Sequence, residues 1–92
     1  MPGLTQHAKA RMQQRGIRPT TLDSLLDYGS QSHDHRGATI VYFDKKARTR
    51  LLRDSGSAAY RVVEKQLNAY AVVSNDGSVV TVGHRDKRIP RR

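Results

Sequence analysis

Ninety-two residues with an apolar fraction of 36% suffice for one small core, and the absence of Cys excludes both a disulfide framework and a thiolate metal site. No apolar run approaches the ~20 residues of a membrane span and no signal-peptide segment opens the chain, so a cytoplasmic bacterial protein is expected, with no membrane partner. The formal net charge of +9, from 17 Lys and Arg against 8 Asp and Glu, makes polyanions the natural partners: each neutralised phosphate releases counterions, so a basic face can hold nucleic acid without reading its sequence, or hold an acidic protein.

In chain order, Thr5 is an N-cap and Gly16 a left-handed stop for a first helix over residues 6–15. Leu4, Ala8 and Met12 form one i, i+4 ridge that belongs against the core. His7, Arg11 and Arg15 form the neighbouring ridge, about 100° around the helix, at the border of the buried face. Pro19 presets a helical φ and Thr20-Thr21-Leu22-Asp23 reads as a capping pattern, so a second helix is expected over residues 21–27 with Leu22, Leu25 and Leu26 as its apolar stripe. The pair makes an αα-hairpin. A helix-turn-helix reader of DNA is disfavoured, because this second helix carries no Arg, Asn or Gln to reach base edges.

Residues 29–37 are polar and hold His33 and His35; they read as a loop or a frayed edge strand. Residues 38–43 are a strand. Asp44 caps a third helix over 45–52, whose exposed side carries Lys45, Lys46, Arg48, Arg50 and Arg53. Residues 54–57 read as a turn. In 58–67, Ala59, Val62, Val63 and Gln66 fit helical spacing, although Tyr60-Arg61-Val62-Val63 also suits a strand; helix is preferred. Strands over 69–74 and 78–84 flank Asn75-Asp76-Gly77, a turn that tolerates positive φ, and so form a hairpin. The whole is a small single α+β domain over residues 1–92. An N-terminal αα-hairpin and a further helix pack on an antiparallel sheet that ends in a C-terminal hairpin, with a core at 4–85 and a loose basic tail at 86–92.

His7-Ala8-x-x-Arg11-Met12-x-x-Arg15-Gly16-Ile17, Leu25-Leu26-Asp27-Tyr28-Gly29, Tyr70-Ala71-Val72-Val73 and Val80-Thr81-Val82-Gly83-His84-Arg85 together resemble one bacterial family, domain of unknown function 4258. The resemblance extends from about residue 5 to residue 88, and seven of the eleven positions from His7 to Ile17 agree. That family is similar in layout to the barnase, colicin and RelE-like ribonucleases. The resemblance therefore implies a metal-independent endoribonuclease, as in the toxin of a toxin–antitoxin pair, with RNA as substrate and an acidic antitoxin as partner. A non-catalytic basic module that binds nucleic acid or an acidic protein is the alternative.

Such cleavage needs a base for the 2′-OH proton, an acid for the leaving 5′-oxygen and cations for the charge that builds on phosphorus. Imidazole suits both proton roles near neutrality, and Arg holds phosphate oxygens bidentately. Carried residue by residue, the resemblance implies His7 and His84 as base or acid, with Arg11 and Arg85 on the scissile phosphate. Arg15 and Tyr70 support them, and Lys45, Lys46 and Arg48 extend the nucleic-acid surface. The structural alternatives are that Arg11 or Arg15 pairs with Asp23 or Asp27, that Tyr70 is a core residue, and that Lys45–Arg53 is a solvated helix face. No cofactor is expected. His33-x-His35 is a weak metal pattern, and the chain has no phosphate-binding Gly-rich loop.

Overall fold

The computed structural model describes residues 3–33 and 37–85. His35 and the basic tail therefore lie outside the described residues. The elements run α1 (Gln6–Arg15), α2 (Pro19–Tyr28), β1 (Ser30–His33), β2 (Thr39–Tyr42), α3 (Lys45–Glu64), β3 (Ala69–Val73) and β4 (Val79–His84). The four strands form one antiparallel meander in the order β1-β2-β3-β4, and the helices pack on it as an α+β domain.

Local chemistry accounts for most of these boundaries. The Thr5 hydroxyl accepts from the Ala8 N–H at 3.1 Å, and Gly16 closes α1 with φ 64°. The Asp44 carboxylate accepts from the Ala47 N–H at 2.8 Å, which opens α3. Two expectations are corrected. Helix α2 begins at Pro19 rather than at Thr21, with Arg18 as its cap residue and no side-chain cap of its own; proline at the first helical position needs no N–H partner. Helix α3 continues through the segment expected to be a turn, and the break is confined to Gly56 at φ 84° and ψ 167°. Glycine accepts that conformation without strain, so helix resumes beyond it. The preferred helix in 58–67 is present as far as Glu64.

Side chains alternate across the sheet as its register requires. Val41, Ala71 and Val82 share one row and are buried with Phe43 and Ala69 beneath Leu22 and Leu25 of α2 and Ala8 of α1. The Leu4–Ala8–Met12 ridge and the α2 leucines face this core, as their spacing predicts. The opposite face carries the rows Ser30–Tyr42–Tyr70–Gly83 and Ser32–Ile40–Val72–Thr81. Ile40, Val72 and Thr81 there are half-buried. This second face, hereafter the open face, matters for function.

The C-terminal hairpin turns at Gly77, φ 87°, and a bulge opposite Val73 shifts the register of β4. The Ser74 hydroxyl and the Ser78 N–H both donate to the Asp76 carboxylate. These bonds, that from Ser74 foremost, hold its carboxyl below the ordinary value of 3.8. A carboxyl lowered by folding adds stability above its unfolded pKa and loses it as pH falls through the folded value. The stability gap between the wild type and Asp76→Asn is therefore expected at about pH 7 and should close by about pH 2, read from urea midpoints. A gap of equal size at both pH values would rule out the carboxylate as its source.

Candidate nucleic-acid interface

Helix α1 lies alongside β4 and is tied to it at both ends. At its start, Leu4 bridges Val79 in parallel, the Thr5 N–H donates to the Val79 carbonyl at 3.1 Å, and the Thr5 hydroxyl donates to the Val80 carbonyl at 3.3 Å. At its end, the Arg15 carbonyl lies 2.9 Å from His84 Nε2. A ten-residue helix rises about 15 Å and a six-residue strand about 20 Å, so the two lengths match. Arg15, the last residue of the ridge His7–Arg11–Arg15, therefore stands beside the end of β4.

At one point that ridge visibly crosses onto the open face. A Cβ built on Gly83 would collide with Arg15 Nη1 and lie 3.0 Å from the Tyr70 hydroxyl oxygen and Cε1. Glycine at 83 thus lets a guanidinium and a phenol come close together over the backbone of β4. This pairing is a cation beside a hydroxyl donor, suited to the oxygens of a phosphodiester. Farther along the ridge, Arg11 Nε donates to His7 Nε2 at 3.4 Å and Arg11 Nη1 to Gln14 Oε1 at 3.4 Å. His7 is exposed. Neither Arg11 nor Arg15 pairs with Asp23 or Asp27; the one ion pair among the described residues is Arg53–Asp54 at 3.2 Å.

His84 and Arg85 occupy different surroundings from those that motif spacing suggests. Both ring nitrogens of His84 are engaged, Nε2 with the Arg15 carbonyl and Nδ1 with Asn68 Oδ1 at 3.0 Å. The Arg15 carbonyl and Asn68 Oδ1 are both acceptors, so the two contacts are satisfied with both ring nitrogens protonated or with the Asn68 carboxamide turned over, and in either state the ring clamps the end of α1 to β4. Arg85 donates from Nη2 to the Phe43 carbonyl at 2.6 Å and stacks 5.3 Å above the Tyr42 ring. Its N–H donates to the Asn68 carbonyl at 2.9 Å. The guanidinium thereby spans β3 and joins the ends of β2 and β4.

Of the sequence-derived residues, Arg15 meets Tyr70 over Gly83 and His84 through its carbonyl, His7 and Arg11 pair with each other on α1, and Arg85, just past β4, turns instead to Phe43 and Tyr42. Lys45, Lys46 and Arg48 stand at the start of α3. Lys46 borders a cleft of about 430 Å³ with Ser30, Ser32, Tyr42 and Asp44 at the far margin of the open face. Lys45 lies with Arg53 in a separate cleft. His33 Nδ1 is 3.1 Å from the Thr39 hydroxyl of its cross-strand partner, and among the described residues no three metal-binding side chains gather.

One residue that no motif flagged supports the whole corner. Gln66, just beyond α3, accepts at Oε1 from the Arg18 N–H at 3.1 Å and from the Thr21 hydroxyl at 2.6 Å. Its amide donates to the Gly16 carbonyl. It thus supplies the N-terminal acceptor that α2 lacks and satisfies Thr21, which is fully buried. No helix among the described residues is long and apolar enough to cross a membrane. Comparisons with protein-family models, with curated proteins and with solved structures return no match.

Proposed function

We propose that this protein is a metal-independent endoribonuclease of the toxin type, acting in the cytoplasm on RNA laid along the α1 margin of the open sheet face. The observation that carries the reading is the meeting of the Arg15 guanidinium and the Tyr70 hydroxyl over Gly83, on a chain of net charge +9. Successive ridge residues on α1 are one helical step of about 6 Å apart. A phosphate held between Arg11 and Arg15 then has His7 on one side and Tyr70 on the other, the disposition an in-line displacement needs. His7 takes the proton of the 2′-hydroxyl and the 2′-oxygen attacks phosphorus. The bond to the 5′-oxygen breaks, and Tyr70 gives that oxygen its proton. The products are a 2′,3′-cyclic phosphate and a free 5′-hydroxyl, and water returns the proton from His7 to Tyr70. Arg11 and Arg15 bear the charge that builds on the non-bridging oxygens. In this scheme His84 is a positioning residue, because it holds the Arg15 backbone, and Arg85 braces the sheet beneath.

Purified protein incubated with total RNA in EDTA is expected to produce fragments ending in 2′,3′-cyclic phosphate. RNA left intact, both alone and with ribosomes, would overturn cleavage. A second reading, a basic module that binds RNA or an acidic antitoxin-like protein without cleaving, is favoured by one observation: both ring nitrogens of His84 are already engaged, so it is no free second imidazole. Retained RNA binding without cleavage is the result that selects it.

A further inference from the structure

His84 also lines a second basic cleft, which the cleavage scheme leaves unused. We infer that it is a phosphate-binding subsite, and that it receives a backbone phosphate of the RNA strand flanking the one held at Arg11 and Arg15; this second clause rests on the function proposed above.

The cleft has a volume of about 390 Å³ and is lined by Arg18, Arg61, Val62, Lys65, Gln66 and His84. Three of the six are basic side chains and none is a carboxylate. Arg18 comes from the α1–α2 corner, whereas Arg61 and Lys65 come from the end of α3. Arg61 and Lys65 are four residues apart on one helical path, where like charges repel. None of the three is in an ion pair among the described residues, where the single pair is Arg53–Asp54. A polyanion relieves that repulsion, and two guanidinium forks with an ammonium suit a group presenting several oxygens better than a single carboxylate.

The cleft is also built rather than incidental. Gln66 is locked by its bonds to Arg18, Thr21 and Gly16, which sets the distance between the corner and α3. Val62, 43% exposed, offers an apolar wall on which a base or ribose can lie. Continuity with the first site comes through one residue: the carbonyl of Arg15 bonds to the His84 ring that lines the cleft, while its guanidinium stands over Gly83 on the open face. A strand crossing Arg15 thus needs only to round the end of α1 to enter.

Two measurements on the full chain test this. The first is fluorescence anisotropy with an RNA of about 12 nucleotides, 2′-O-methylated to prevent cleavage, across a KCl series. It compares wild type, Arg61→Gln/Lys65→Gln and the charge-matched control Lys9→Gln/Arg53→Gln. Losing the one phosphate held in the cleft should lower the salt slope by about 0.7 for a single strand, with affinity about tenfold below that of the control. The second is an NMR titration with inorganic phosphate, in which the Gln66 side-chain amide should shift in wild type and not in the Arg61→Gln/Lys65→Gln protein. Phosphate shifts with a slope equal to that of the control would overturn the RNA clause and leave a site for free phosphate or a mononucleotide. No shift at Gln66 up to tens of millimolar phosphate would overturn the subsite. Wild type that binds no RNA at all would defeat the proposed function instead, and the phosphate titration alone would then decide the cleft.

Discussion

Replacing His7 with alanine is expected to slow RNA cleavage by about 10²–10⁴-fold, the usual contribution of one positioned proton-transfer group. The fold should survive. His7 is exposed and its recorded side-chain bond is to Arg11 of its own helix at 3.4 Å, so the stability change should stay within about 0.5 kcal/mol. RNA affinity should also be nearly unchanged, because in the scheme Arg11 and Arg15 hold the phosphate. This separates His7 from Arg15: Arg15→Gln should lose affinity and rate together, since a phosphate-gripping cation acts in the ground state as well as the transition state. Single-turnover cleavage and binding curves on the same RNA measure both quantities. An unaltered rate in a folded His7→Ala protein would remove the base from the scheme.

The largest stability effect is expected at Phe43. It is the chain's single Phe, it is fully buried, and its carbonyl receives the Arg85 guanidinium. Truncation to alanine should cost about 3–5 kcal/mol from lost apolar transfer and the cavity left behind. A domain of 92 residues has about 5–14 kcal/mol in total, so the variant should be marginal. In urea the midpoint should fall by at least about 1 M, given slopes of about 1–3 kcal/mol per molar. Phe43→Leu should recover most of the loss, because it refills much of the space. Equal midpoints for Phe43→Ala and wild type would show that the core does not depend on this ring.

The two effects differ in origin. Phe43 acts through packing that many residues share, so its loss spreads across the junction of β2, β3 and α2. In the proposed scheme His7 acts at one bond of a substrate, and its exposed position leaves the fold little dependent on it. Arg85 lies between these cases. The family resemblance implies a phosphate contact for it, yet its guanidinium is committed to the Phe43 carbonyl and the Tyr42 ring, where it links the end of β4 to the end of β2.

By itself the sequence determined the elements whose causes are local. Thr5, Gly16 and Asp44 act within one helical turn of the ends they cap, and Asn75-Asp76-Gly77 turns the chain within its own few residues. The apolar ridge on α1 and the stripe on α2 follow from 3.6-residue periodicity, and with them the α+β class. The ridge His7–Arg11–Arg15 was legible for the same reason. Only the tertiary structure decided what that ridge meets. Arg15 reaches Gly83 and Tyr70, His84 spends both nitrogens on Arg15 and Asn68, and Gln66 closes the corner that α2 leaves uncapped. Each of these contacts joins positions far apart in the chain through a hydrogen bond or a steric gap that leaves no periodic trace. The start of α2 was decided the same way, because the Gln66 carboxamide supplies an acceptor that its own residues do not, whereas α3 passes Gly56 on a local cause, the positive φ that glycine accepts without strain.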